Sequence, residues 1–253
     1  MAAESVQRYR LVLAYDGTAY SGYQLQENGP SVQRRLEEAL AYVNRAPVRV
    51  FGCSRTDAGV HARAFCAHCD LAVPIPPANL VRAMNAQLPN DIRILRAATA
   101  RPDFNARNDA KGKEYRYFLY QADILPPHLA PFWAFCHRPL GLAAMQEAAR
   151  RFVGRHDFVS FAANPHRDLE TTVRTIFDFI VRRAGPRITF SVKGDGFLYK
   201  QVRSMVGFLL RVGKGGEKPE AVTELLEAAA PRTARVETAP GRGLVLWKVW
   251  YRS

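Results

Sequence analysis

The alternation of apolar and polar positions predicts short strands and amphipathic helices throughout the first hundred residues. The predicted order is a strand at Arg8–Tyr15, a helix capped by Ser31 and running to Val43, strands at Val48–Cys53 and Ala64–Val73, a helix from Leu80 to Leu88, and a strand at Ile92–Ala98. This order of strand, helix, strand, strand, helix, strand is typical of a split, mainly antiparallel α+β unit.

The second half of the chain is also predicted to contain a mixture of strands and helices, in a somewhat different order. The predicted elements are a strand at Lys113–Tyr120, an irregular stretch at Gln121–Pro139, a helical stripe at Leu142–Phe152, a short turn or helix at His156–Phe161, a polar loop at Asn164–Leu169, strands at Arg174–Arg183 and Arg187–Gly194, helices at Phe197–Val212 and Pro219–Ala230, and a strand at Leu244–Tyr251. We therefore expect an α+β protein of two similar domains, 1–105 and 106–253, with mainly antiparallel sheets flanked by helices.

The charge balance points to a polyanionic partner. The 253 residues carry a formal net charge of +13, and 29 of the 36 basic residues are Arg. Arg grips phosphates bidentately and stacks on bases, so nucleic acid is the favoured partner. Replacement of Lys by Arg through codon bias would explain the Arg excess but leaves the net charge unchanged. The polar Met1–Arg10 segment and four irregularly spaced cysteines predict a cytoplasmic protein without a disulfide framework.

The stretch Phe51–Ala64 holds the clearest candidate for chemistry. The apolar strand breaks into a loop of small residues that contains Arg55, Asp57 and Gly59. A carboxylate on a loop between two core strands is held firmly yet remains reachable, as a nucleophile or general base requires. Read without its neighbours, this loop would more commonly be a turn capped by Asp57 with Arg55 as a surface partner.

The longer sequence resembles the tRNA pseudouridine synthase A (TruA) family, in which Arg55–Ala62 matches the signature segment. Further matching segments are Tyr15–Gln24, Ser31–Gln33, Asp103–Arg107, Tyr115–Tyr117, Phe197–Gly207 and Gly243–Leu244. The resemblance runs from Tyr9 to Tyr251. Departures occur at Ser54, where many members have Gly, at Tyr23, where Trp is usual, and at Gln201, where Met is common.

The resemblance implies a pseudouridine synthase-like fold with an active cleft between the two halves. It also implies a homodimeric isomerase that converts uridine to pseudouridine in the anticodon arm of tRNA, at positions 38 to 40. Asp57 would be the nucleophile, Arg203 its cationic partner, and Tyr115 the residue that stacks on the extruded base. Arg55 would contact the RNA and help to move the target base out of its stack. Because the reaction is redox-neutral and hydrolyses nothing, we expect no cofactor and no metal.

Further basic residues are candidates for phosphate contact, although a solvated surface charge is the commoner role for each one. They are Arg107, Lys111, Lys113, Arg211 and Lys214. His61 and Asp16 lie in family-like segments, and we expect them to hold the loop and to close a turn. Cys66 and Cys69 resemble a metal motif, but residues three apart on a strand point to opposite faces, so we do not expect chelation.

Two alternatives from other classes stay open at this point. A non-catalytic RNA-binding protein could stack bases on Tyr115 and Tyr117, but it would not need an aspartate on a tight loop. A metal-assisted hydrolase would lose its activity when a chelator removes the metal, which we do not expect for this protein.

Overall fold

Ten strands, five α-helices and three short 3₁₀-helices build the part of the chain that the structure describes, residues 6–163 and 171–252 of a computed structural model. The strands are β1 Gln7–Tyr15, β2 Val50–Gly52, β3 His61–Leu71, β4 Ile92–Thr99, β5 Ala110–Gln121, β6 Ala134–Cys136, β7 Gly154–Asp157, β8 Val173–Ala184, β9 Arg187–Gly194 and β10 Leu244–Tyr251. The helices are α1 Val32–Asn44, α2 Pro77–Gln87, α3 Leu142–Arg151, α4 Gln201–Gly213 and α5 Ala221–Ala228. The predicted loop Asn164–Leu169 lies outside the described residues.

The first of two compact units contains the described residues 6–111 and 246–252. Its strand order is β4-β1-β3-β10, and β2 pairs with β3. Leu11 and Leu13 of β1 are fully buried, as are Leu36 of α1 and Leu80 of α2, so both the sheet and the helices contribute to the core. Ser31 caps α1 as predicted, because its Oγ accepts a hydrogen bond from the Arg34 N–H at 3.3 Å.

The second unit contains the described residues 112–163 and 171–245. Its strands lie in the order β5-β9-β8-β7 with antiparallel pairing, and the short strand β6 pairs with β5 in parallel. Alternate residues of β5, including Tyr115, Tyr117 and Leu119, are buried on one face. The predicted mainly antiparallel α+β fold is confirmed.

Three local predictions in the second unit differ, wholly or in part, from the structure. The helix predicted from Phe197 begins only at Gln201, because Lys200 takes a left-handed conformation with φ 59° and the Gln201 Oε1 accepts the Leu198 N–H at 2.8 Å. The stretch His156–Phe161 is divided between β7 and a 3₁₀-helix, Val159–Phe161. The stretch predicted as irregular contains β6, whose three residues form a strand only by pairing with β5.

The compact units divide between residues 111 and 112, whereas the sequence analysis placed a domain boundary between 105 and 106. The last six residues of β10 belong to the first unit, where β10 lies beside β3. The pairing of β10 with β3 could not be predicted from local sequence, because the two strands are more than 170 residues apart along the chain. No helix among residues 6–163 and 171–252 is long and apolar enough to cross a membrane.

Candidate active site

Asp57 lies in the first unit, on the loop that joins β2 to β3. The side chain is half-buried, and the neighbouring Arg55 is exposed. The turn closes through a 3.2 Å hydrogen bond that the Val60 N–H donates to the Asp57 carbonyl oxygen. Gly59 has φ +70°, a left-handed conformation that favours glycine. The predicted placement of the carboxylate between two strands is confirmed, and its catalytic role stays a prediction.

A segment near the N-terminus fixes the backbone of this loop. The Tyr23 N–H donates to the Thr56 carbonyl at 3.1 Å, and the Gly59 N–H donates to the Tyr20 carbonyl at 3.3 Å. The hydroxyls of Tyr15 and Thr56 lie 2.8 Å apart in a buried hydrogen bond. The two segments that carry the strongest family resemblance therefore form one substructure. This arrangement holds the loop in place before any substrate arrives.

Two glycines permit this close approach of backbone to backbone. A Cβ on Gly17 would lie 2.1 Å from the carbonyl oxygen of Val60. A Cβ on Gly22 would lie 2.6 Å from the carbonyl oxygen of Thr56, and the φ of +122° also disfavours any side chain there. Sequence reasoning did not single out either glycine, because the contact that each one allows is more than thirty residues away along the chain.

His61 and Asp16 have the structural roles that the sequence analysis expected. The Gly17 N–H donates to the His61 Nδ1 at 3.0 Å, and the Asp16 Oδ1 accepts from the Thr18 N–H at 2.9 Å and from its hydroxyl at 2.6 Å. Asp16 Oδ1 also lies 3.1 Å from His61 Nδ1, so a protonated Nδ1 would donate to Asp16 rather than accept from Gly17. In either tautomer, His61 ties the start of β3 to the Asp16 turn.

Tyr115 and Arg203 lie in the second unit, on β5 and α4. The Tyr115 ring is buried and meets Phe197 edge-on, with centroids 5.3 Å apart and an interplanar angle of 88°. The Arg203 Nε donates to the Ala239 carbonyl oxygen at 2.7 Å, and the Ala239 N–H donates back to the Arg203 carbonyl at 3.0 Å. Both side chains are therefore held in defined orientations by their own unit.

Tyr117, which the sequence pattern offers with Tyr115 as a base-stacking residue of an RNA-binding protein, is buried in the second unit. Its hydroxyl is buried and has no hydrogen-bond partner among the described residues. Burial raises the pKa of Tyr117 well above its ordinary value, while the nearby charges of Arg203 and Arg242 act in the opposite direction. Gly243 packs against the Tyr117 ring, since a Cβ there would come within 2.7 Å of it.

The candidate phosphate contacts differ in accessibility. Exposed residues among them are Arg55, Arg107, Lys111 and Lys214. Lys113 is buried on β5, and Arg211 is half-buried with its Nε 3.5 Å from a Glu217 carboxylate oxygen. The roles of all six residues in RNA binding stay predictions.

The cysteines of β3 are buried free thiols. Burial raises the pKa of Cys66 to about 11 and that of Cys69 to about 12, so both are protonated at neutral pH. Both lie on β3, as the strand prediction required. Within residues 6–163 and 171–252, no three His, Cys, Asp or Glu side chains are grouped so that they could hold a metal ion.

An aspartate on a loop between two strands of an α+β protein, in a chain with 29 arginines, is compatible with an enzyme that acts on nucleic acid and does not by itself establish one. Sequence comparison identifies the kind of enzyme. The family model described as tRNA pseudouridine synthase matches residues 11–109 and 148–252. The chain belongs to this family, whose members are isomerases, and the resemblance described above is confirmed.

Relatives match over nearly their whole length. tRNA pseudouridine synthase A of Exiguobacterium sp. is 42% identical over 246 residues, covering 97% of this chain and 98% of the relative. tRNA pseudouridine synthase A of Halalkalibacterium halodurans is 43% identical over 244 residues, covering 95% of this chain and 91% of the relative. Among solved structures, a crystal structure of a Cbf5-Nop10-Gar1 complex aligns with a TM-score of 0.36 and 13% identity, over 80% of this chain and 45% of that chain.

Proposed function

We propose that this chain is a tRNA pseudouridine synthase that isomerises uridine to pseudouridine in the anticodon stem-loop, at positions 38 to 40, with Asp57 as nucleophile. The reaction is supported by the family model and by a relative named tRNA pseudouridine synthase A that matches over 97% of the chain. The observation that carries the assignment of Asp57 is the position of its loop between β2 and β3. Two hydrogen bonds hold this loop: the Tyr23 N–H donates to the Thr56 carbonyl, and the Gly59 N–H donates to the Tyr20 carbonyl.

The reaction breaks the bond between ribose C1′ and uracil N1, rotates the base, and joins C1′ to C5. The hydrogen on C5 leaves as a proton, and N1 gains one, so atoms and electrons balance without a cofactor. Three roles of the carboxylate are consistent with this chemistry: attack on the base, attack on C1′, or initiation of elimination at the sugar. Each role requires an ionised Asp57 close to the extruded nucleotide.

The proposal assigns Arg203 and Tyr115 to the same reaction. A guanidinium beside a carboxylate favours its ionised form, which is the role proposed for Arg203. The hydrogen bond that the Arg203 Nε donates to the Ala239 carbonyl supports this role, because it restricts how the side chain can move. Tyr115 is proposed to stack on the extruded uracil, and its edge-on contact with Phe197 supports this by fixing the plane of the ring.

The substrate and the setting complete the proposal. A net charge of +13 suits a tRNA phosphate backbone, and Arg55 is proposed to help extrude the target base. The remaining basic candidates are proposed to contact phosphates: Arg107, Lys111, Lys113, Arg211 and Lys214. By family resemblance we propose a cytoplasmic homodimer.

The decisive experiment measures release of tritium from tRNA labelled at C5 of uridine, because C5 loses its hydrogen only when the new bond forms. We expect release by the wild type and none by Asp57→Ala. Glu38→Gln is the matched control, since it removes one exposed carboxylate of the same unit that pairs only with Arg35 among the described residues. We expect this control to release tritium like the wild type.

The other outcomes separate the remaining interpretations. No release from the wild type, together with normal tRNA binding, would support a non-catalytic RNA-binding protein. Release from both the wild type and Asp57→Ala would keep the enzyme and exclude Asp57 as its nucleophile. Retained tRNA affinity in Asp57→Ala would show that the variant is folded and that the lost step is chemical.

A further inference from the structure

The loop between β4 and β5 (residues 100–109) presents an arginine, Arg107, that is not ion-paired with the loop's own acids. Its charged residues are Arg101, Asp103, Arg107 and Asp109. Arg101 pairs with both acids, at 3.2 Å to Asp103 and 2.8 Å to Asp109. Arg107 is exposed and makes no ion pair with any described residue, and the same holds for Lys111 just beyond the loop. The loop therefore offers Arg107 and Lys111 to an anion in solution.

Side chains from β1, β3 and β10 fasten this loop to the first unit. The Arg8 Nη1 donates to the Phe104 carbonyl at 3.0 Å, and the Tyr251 hydroxyl donates to the Ala106 carbonyl at 2.7 Å. The Ala106 N–H donates to the His68 Nδ1 at 3.1 Å. The residue directly before Arg107 is thus bonded at both its N–H and its carbonyl. Such double anchoring restricts the direction in which Arg107 leaves the loop.

His68 is a buried hydrogen-bond acceptor, and its burial keeps it away from a substrate in solution. It is 4% exposed and stacks on Phe51 at 5.1 Å, while Phe104 meets its ring edge-on at 6.1 Å. An Nδ1 that accepts the Ala106 N–H belongs to a neutral ring. Burial, followed by the charge of Arg8, lowers the pKa of His68, in agreement with that neutral form.

Strands β2 and β3 flank the Asp57 loop, and β3 also carries His68, which bonds to Ala106. β3 begins at His61, directly after the Asp57 turn, and His68 pairs with Phe51 of β2. Seven residues of strand correspond to about 23 Å between His61 and His68. If the target base of an RNA lies at Asp57, the nucleotides that contact the anchored loop (residues 100–109) are several positions away from that base.

Resting on the proposed function, we infer that His68 is a positioning residue for tRNA binding. It holds the Ala106 backbone so that Arg107 meets a phosphate of the bound RNA. Its role is to preorganise a contact, so removing it weakens binding without altering the chemical step. The inference concerns how Arg107 is held, and it does not depend on which uridine is modified.

The test is a double-mutant cycle of His68→Leu and Arg107→Ala, with tRNA affinity measured at several salt concentrations. If His68 acts through Arg107, each single variant loses about one phosphate contact. The fall in affinity between 50 and 200 mM salt then becomes about 3- to 4-fold smaller than for the wild type. We expect the double variant to bind like Arg107→Ala alone, and kcat for tritium release to stay unchanged while KM rises.

His68→Asn provides the matched control, because its amide oxygen can accept the Ala106 N–H where Nδ1 does. We expect this variant to bind tRNA like the wild type. Additive losses in the double variant, a reduced kcat in His68→Leu, or equal losses in His68→Asn and His68→Leu would each overturn the inference. Should His68→Leu fail to fold, Tyr251→Phe removes the other bond to Ala106 and takes its place in the cycle.

The binding cycle is independent of the proposed function's own test. Absence of tritium release by the wild type would refute the proposed enzyme and leave the affinity measurements intact. Unchanged affinity in Arg107→Ala, with normal release by the wild type, would refute the inference and leave the enzyme standing.

Discussion

Gly207→Ala is the substitution for which the structure and local propensity predict opposite results. Gly207 lies within α4, one turn after Arg203, and a Cβ there would lie 2.1 Å from the carbonyl oxygen of Glu237. Real Cβ atoms essentially never approach another atom closer than 3.0 Å, so the 237–239 segment has to move. That segment also contains Ala239, which is bonded to Arg203 through both its N–H and its carbonyl.

The opposing effects can be compared. Replacing a helical Gly by Ala stabilises a helix by about 1 kcal/mol. Overpacking against a backbone carbonyl, which cannot rotate away, costs about 1–3 kcal/mol. Loss of the two hydrogen bonds between Arg203 and Ala239 adds about 1–1.5 kcal/mol each. We expect a net destabilisation of about 2–5 kcal/mol, which lowers the melting temperature by roughly 2–4 °C for each kcal/mol in a chain of this size.

The assay combines thermal unfolding with tritium release at a temperature where the variant is folded. Release should fall as well as stability, because the Arg203 side chain loses its backbone acceptor. Gly196→Ala is the control, since its Cβ would meet only the Arg174 side chain, at an ordinary 3.7 Å. A Gly207→Ala variant that is more stable than the wild type by about 1 kcal/mol, with full release, would refute the reasoning.

Two further predictions concern stability. Tyr117→Phe removes a buried hydroxyl that has no hydrogen-bond partner among the described residues. Urea unfolding should therefore show an unchanged free energy of unfolding, or a gain of up to about 1 kcal/mol. A clear loss of stability would mean that the hydroxyl is hydrogen-bonded. The Arg8 guanidinium, through its hydrogen bonds, lowers the pKa of Asp70 below the ordinary 3.8. Asp70 therefore contributes stability that is present above about pH 4 and is lost as the pH falls through the folded pKa. Because the pair is partly exposed, the free energy of unfolding of wild type should exceed that of Asp70→Asn by at most about 1 kcal/mol at pH 7. This difference should shrink below about pH 4. A difference that does not change with pH would contradict the assignment.

Local patterns predicted most elements because their causes are local. A buried strand such as β1 needs only alternating apolar residues, and the start of α1 needs only a side chain such as Ser31 to cap it. The short strand β6 was missed because its three residues are held by their partner β5, which is more than ten residues away. The start of α4 was missed because the Gln201 side chain bonds to the preceding Leu198 N–H.

By itself, the sequence determined the α+β class, the family, and the position of Asp57 on a loop between two strands. Each of these three conclusions depends on short contiguous segments, and the residue types and spacings within those segments are sufficient to predict it. Only the tertiary structure decided that Gly17 and Gly22 accept the Asp57 loop, that Gly207 admits the segment bonded to Arg203, and that His68 anchors the residue before Arg107. These contacts join residues that are about thirty or more positions apart, and the local sequence around either partner carries no sign of the other.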